Sequence, residues 1–206
     1  LLLDTARTIR ALVTARAVLG PDAGETADDG PAASGVVAIA RDLADVAIEE
    51  RRPGSTFVDG PDAGAGLLDR PLRPLDANVE LAGALLDLAE LTGDERYRSI
   101  ARETVQAFAG AHERFGPQAA AFGTVTGRLL RGTVRIDLTA SVGSDLHRAA
   151  LRLADHEAIV VPAIGATAEP VDRDGDLEPD AAYVVLDGER SAPATDPQEL
   201  SDRVTE

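Results

Sequence analysis

The apolar residues of this chain recur every three or four positions as far as residue 131 and at every second position soon after it. The first spacing is that of one face of an α-helix, and the second is that of a half-buried β-strand. The short link Thr92–Glu95 predicts an antiparallel helical hairpin, and weak internal similarity indicates a helical repeat array or a closed toroid of hairpins. The predicted helices cover residues 1–19, 36–50, 78–91, 95–115 and 118–131.

The region after Gly132 is predicted to be an α/β segment. Its expected elements are a strand, a helix, two strands and a final helix, at 133–140, 145–154, 158–161, 182–186 and from 196 onwards. The first three of these indicate a parallel β–α–β unit. The sequence therefore predicts a mostly α fold in two parts: residues 1–132 form helical hairpins of a toroid, and residues 133–206 form a C-terminal α/β segment of the same fold.

Charge and missing residue types exclude several classes of function. The 206 residues carry 36 acidic side chains against 20 cationic ones, all of them arginine, for a net charge of −16. Nucleic acid and anionic membranes are therefore not expected as partners, because both bind basic patches. The absence of Cys and Lys excludes disulfides, thiol nucleophiles, Cys-ligated zinc, P-loop lysines and Schiff-base chemistry. An acidic surface with arginine in place of lysine predicts a halophilic protein in which salt screens the repulsion. No signal peptide and no apolar run of about 18 residues is visible, and a cytoplasmic location is expected.

No metal or cofactor is expected from the remaining motifs. The acidic stretch Asp172–Asp176 begins like a calcium loop but has Leu177 where that loop requires glycine. The three histidines, His112, His147 and His156, lack a spacing that would place two metal ligands on one face. They are interpreted as structural or surface residues.

The segment most indicative of a site is 73–80, which contains the only Asn in the chain. It ends a connection of roughly residues 53–75 that is rich in Gly, Pro and Asp, and loops of this length often carry function. Asp76 is predicted to cap the next helix, and Asn78 falls in its first turn, where Asn is disfavoured. Two interpretations stay open: capping alone, or capping together with a pocket that also includes Asp59.

Near these residues the chain resembles a known family. Three stretches carry the resemblance: Pro74 with Asn78, residues 85–94 followed by Tyr97, and the tail Ala182–Leu200. They are similar to the C-terminal part of thioredoxin-domain-containing proteins of the spermatogenesis-associated type. The resemblance implies part of an (α/α)6 toroid, akin to six-hairpin glycosidases and sugar epimerases, and an upstream thioredoxin-like domain as partner. The Cys pair that this family often carries near its tail turn is missing, so no redox role is expected there.

The resemblance also implies roles for the residues around the long connection. In such toroids the N-termini of inner helices and the loops before them line one funnel. Asp59 and Asp76 would then be the catalytic acid and base, and Arg73 and Asn78 would bind a sugar-like small molecule. Two functions follow: a non-catalytic scaffold or binding module, and a carbohydrate-active toroid of glycosidase or epimerase type. The first is favoured, because sugar platforms usually use Trp or Tyr and this chain has no Trp.

Overall fold

The computed structural model describes residues 1–21, 35–60, 71–110, 119–154, 158–162 and 177–205. Helices hold 61% of these residues, which confirms a mostly helical chain with a small mixed sheet at its C-terminal end. The helices are α1 (Leu2–Leu19), α2 (Val36–Arg51), α3 (Leu75–Thr92), α4 (Glu95–Ala107), α5 (Ala120–Arg131), α6 (Asp145–Leu153) and α7 (Pro197–Thr205). The strands are β1 (Val134–Leu138), β2 (Ala158–Val161), β3 (Ala182–Leu186) and β4 (Glu189–Arg190). Among the helices in these ranges, none is long and apolar enough to cross a membrane.

The chain divides into two compact units, and the first comprises Leu1–Val13 and Val37–Leu130. Helix α3 belongs to its core, with 15 of its 18 residues buried. Leu81, Leu85 and Leu88 are completely buried, as the apolar periodicity predicts. Because α3 is enclosed on nearly every side, its sequence is apolar on nearly every side, and polar residues within it stand out.

Helices α3 and α4 pack against each other as the predicted hairpin. Gly93 ends α3 in the left-handed region, with a φ of 74°, and the Asp94 side chain caps α4 by accepting from the Arg96 N–H. Helix α4 stops at Ala107, so the predicted end at residue 115 is wrong. Residues 108–110 form a turn that includes Gly110, a poor helix former, and the rest of that predicted range lies outside the described residues.

Helix α2 packs through small residues and leaves larger apolar ones near solvent. Ala40, Ala44 and Ala47 are buried in the core of the first unit. Ile39 and Val46, which belong to the same apolar stripe in the sequence, remain 43% and 49% exposed. Alanine has no side chain beyond Cβ, so the alanine face allows neighbouring elements a closer approach than the face with Ile39 and Val46.

The second unit comprises Thr14–Val36 and Arg131–Glu206 and contains one four-stranded sheet in the order β2-β1-β3-β4. Strands β1 and β2 are parallel, with Ile136 opposite Val160, which confirms the predicted β–α–β unit around α6. Strand β3 runs antiparallel to β1, with Ile136 opposite Val184. Ile136, Val160 and Leu200 belong to the core of this unit.

Strand β4 was not predicted, because its two residues are too short for an alternating pattern. It pairs with β3 across a tight turn in which Asp187 and Gly188 have φ values of 50° and 83°. This turn approaches Gly132, whose φ is 82°, and a Cβ on Gly132 would lie 2.3 Å from Asp187 Oδ1. The left-handed conformation of Gly132 therefore favours glycine, and a larger residue there would also displace the exposed Asp187 side chain.

Candidate functional site

Asn78 holds two stretches of main chain together from inside the first unit. Its side-chain amide is completely buried. The oxygen Oδ1 accepts from the Phe57 N–H at 2.7 Å, and Nδ2 donates to the carbonyl oxygens of Phe57 at 3.0 Å and Pro74 at 2.9 Å. Both polar ends of the amide are therefore used within the chain, which gives Asn78 a positioning role for the segment around Phe57.

Asp59, two residues after Phe57, joins the same two stretches of main chain. Its Oδ1 accepts from the Leu72 N–H at 3.2 Å, and its own N–H donates to the Leu72 carbonyl at 3.0 Å. The Asp59 carbonyl in turn accepts from Arg51 Nη1 at 3.2 Å. Asp59 is half-buried and binds the end of the long connection that precedes α3.

Arg73 and Asp76 lie on the exposed side of this region. Arg73 Nη1 donates to the buried Thr56 hydroxyl at 2.9 Å. This bond is a third link between residues 56–59 and residues 72–78. The prediction that Asp76 caps α3 is wrong: the N-cap is Pro74, and it makes no side-chain capping bond. Helix α3 begins at the buried Leu75, two residues before the start that a cap at Asp76 would give. Asp76 therefore lies inside the first turn, where the helix dipole stabilises its carboxylate.

The structure thus brings the predicted residues to one seam between residues 56–59 and 72–78. Within the described residues Asp59 and Asp76 share no hydrogen bond. Asn78, Asp59 and Arg73 each bind a group of the opposite stretch. These contacts attach the loop to the N-terminal end of α3. The assignment of Asp59 and Asp76 as acid and base stays a prediction.

A second polar cluster, which sequence analysis missed, lies along α3. Asp87 and Arg128 are both buried and form an ion pair, with 2.7 Å between Oδ1 and Nη2. Arg10 joins the cluster from α1, with its Nε 3.3 Å from Asp87 Oδ2 and its Nη1 3.1 Å from Glu80 Oε1. Two carboxylates and two guanidinium groups compensate one another here, so each acid already has a cationic partner.

Burial raises the pKa of the Asp87 carboxyl above its ordinary value, while the charges and hydrogen bonds of Arg128 and Arg10 act in the opposite direction. A signal for this cluster was present in the sequence. Glu80 and Asp87 stand seven residues apart, on one face of an otherwise apolar helix. Charged residues on a helix that is apolar all round indicate buried pairs, because an unpaired charge there is costly.

His147 is buried in the second unit and acts as a structural residue. Its Nδ1 accepts from the Gly143 N–H at 2.9 Å, and its Nε2 lies 2.8 Å from the Ala17 carbonyl oxygen. Because a carbonyl oxygen can only accept, Nε2 is the ring nitrogen that donates in this pair of contacts. Among the described residues no group of three or more His, Asp or Glu is placed to hold a metal ion. His112, His156 and Asp172–Asp176 lie outside those residues.

Comparisons with protein-family models, with curated proteins and with solved structures find no significant match to this chain.

Proposed function

We propose that this chain is a non-catalytic scaffold or binding module, and that its helical part belongs to an (α/α)6 toroid of a thioredoxin-domain-containing protein. The observation that carries the proposal is the set of hydrogen bonds that the Asn78 side chain makes within the chain. In a sugar site this amide would offer its oxygen and nitrogen to a ligand. Here both atoms bind the main chain of Phe57 and Pro74 inside the core.

The acidic residues near α3 support the same function. Asp59 accepts from a main-chain N–H, and Glu80 and Asp87 are paired with arginines. A general acid or base must exchange a proton with a substrate, and a carboxylate held by a guanidinium is poorly suited to that exchange. These groups instead connect the segments of the first unit to one another.

The carbohydrate-active alternative is tested by direct assay. We expect the purified chain to release no nitrophenol from a panel of nitrophenyl glycosides and to epimerise no reducing sugar above a blank without protein. Turnover that disappears in both Asp59→Asn and Asp76→Asn would overturn the proposal. Glu189→Gln, which changes an exposed acid of the second unit, is the matched control for loss of a surface charge.

The scaffold function has its own positive test. A thioredoxin-like domain from a protein of the resembled family, added as a separate chain, should bind the purified chain in isothermal titration calorimetry. An unrelated thioredoxin of similar size is the control. Equal heats from both would count against a specific partner domain.

A further inference from the structure

Helix α2 presents an apolar line to solvent. Ile39, Leu43 and Val46 stand at intervals of four and three residues, which is the a/d spacing of a coiled-coil seam. Leu43 is partly buried against the core of the first unit, whereas Ile39 and Val46 on either side of it remain close to half exposed. We call these three residues the α2 seam.

The two edges of the α2 seam differ in charge. On the inner edge Ala40 and Ala47 are buried and anchor the helix. On the outer edge Asp42 and Glu49 are exposed, each three residues after a seam residue, at the g positions of the same heptads. Charges at such flanking positions set which helix pairs with a seam and in which orientation.

From this pattern we propose that the α2 seam is a docking surface for a basic amphipathic helix of another protein. The partner would place an apolar a/d stripe on the seam and Lys or Arg beside the outer edge. A second copy of this chain fits poorly, because it would bring acidic residues or alanines opposite Asp42 and Glu49, in a protein of net charge −16.

The length of the seam sets the strength and character of the interaction. Three seam residues cover fewer heptads than a stable two-stranded coiled coil needs, so binding is weak and reversible. Loss of both exposed apolar side chains should weaken it by about tenfold or more, since most interface energy resides in a few buried anchors. Loss of the two acids should weaken it less and should reduce its dependence on salt.

This surface rests on the proposed binding-module function, and its test is separate from the glycoside assay. The probe is a fluorescein-labelled peptide of three heptads with Leu at a and d, Lys at e and g, and Ala elsewhere. A peptide of the same composition, scrambled so that its leucines form no stripe, is the probe control. Binding to the full chain is followed by fluorescence anisotropy at several salt concentrations, and the contact site by amide chemical shifts.

The variant Ile39→Ser/Val46→Ser tests the seam, and Leu130→Ser/Leu186→Ser removes two exposed apolar residues elsewhere as its control. The variant Asp42→Asn/Glu49→Gln tests the outer edge, with Asp202→Asn/Glu189→Gln as its control. We expect both test variants to weaken binding of the striped peptide and both controls to leave it unchanged, with shifts confined to α2.

Three outcomes would overturn the α2 docking surface: equal binding of the scrambled peptide, equal binding by Ile39→Ser/Val46→Ser, or a dimer in sedimentation that this variant abolishes. None of these would affect the argument against catalysis. Glycoside turnover, conversely, would overturn the proposed function and leave the measured peptide contact in place.

Discussion

Replacement of Asn78 by alanine removes three hydrogen bonds at once, and the structure indicates the cost. The N–H and the carbonyl of Phe57 lose their side-chain partner in a region where Phe57 is completely buried. A buried main-chain group left without a partner costs about 1–3 kcal/mol, so the two groups together cost about 4 kcal/mol. That is a large part of the stability of an ordinary domain, which is about 5–15 kcal/mol. Asn78→Ala should therefore lower the free energy of unfolding of the first unit by about 4 kcal/mol.

The measurement is urea unfolding followed by far-UV circular dichroism, combined with amide hydrogen exchange at Phe57. The control is Asp59→Ala, which removes a single exposed bond to Leu72 and should cost about 1 kcal/mol or less. In Asn78→Ala, Phe57 should lose its protection before Ile100 of α4 does. A loss of stability below about 1 kcal/mol with Phe57 still protected would refute the structural role of Asn78.

Three further predictions concern charge and titration. Arg128→Met leaves the buried Asp87 with Arg10 as its remaining cationic partner and should lower the free energy of unfolding by about 3 kcal/mol. The double variant Asp87→Leu/Arg128→Met should lower it much less. Denaturant titrations in which the losses of the two single variants add up in the double variant would contradict this. The Tyr97 hydroxyl donates to Asp45 at 2.9 Å, and burial, then this bond, raises the pKa of Tyr97 from 10.0 to about 12. Because the pKa of Tyr97 is higher in the folded state, its contribution to stability is complete below pH 10.0 and is lost as the pH rises toward 12. The difference in melting temperature between the wild type and Tyr97→Phe should therefore shrink across that pH window. A difference that stays constant with pH would argue against this role. The 36 acidic residues should make the melting temperature rise in molar KCl, and a fall or no change would speak against a halophilic surface.

Local signals in the sequence predicted most elements closely. Apolar periodicity placed α1, α2 and β2 within a residue or two of their observed ends. Gly93 ends α3 in the left-handed region, and the side chains of Asp94 and Ser144 cap α4 and α6, which are the helix-end roles that these residue types favour. Such signals succeed because capping and periodicity depend on neighbours within one or two turns.

The candidate site was predicted less completely. Sequence analysis singled out Asn78 and Asp59 as residues of one region, and the structure places both on the seam between 56–59 and 72–78. It placed the N-cap at Asp76, because a polar residue before an apolar stripe is the usual start of a helix. The burial of Leu75 moved that start, and burial depends on the packing of the whole unit.

The sequence by itself determined a chain of short helices followed by a small α/β segment, an acidic surface and the absence of thiol and lysine chemistry. The tertiary structure alone decided which polar groups meet. Phe57 and Asn78 are 21 residues apart, and the ion pair of Asp87 with Arg128 joins two different helices. Hydrogen bonds and ion pairs between distant residues arise only when packing brings them within about 3 Å, and no periodicity in the chain encodes that distance. The roles of Asn78 and Asp87 therefore follow from the fold and not from their local sequence.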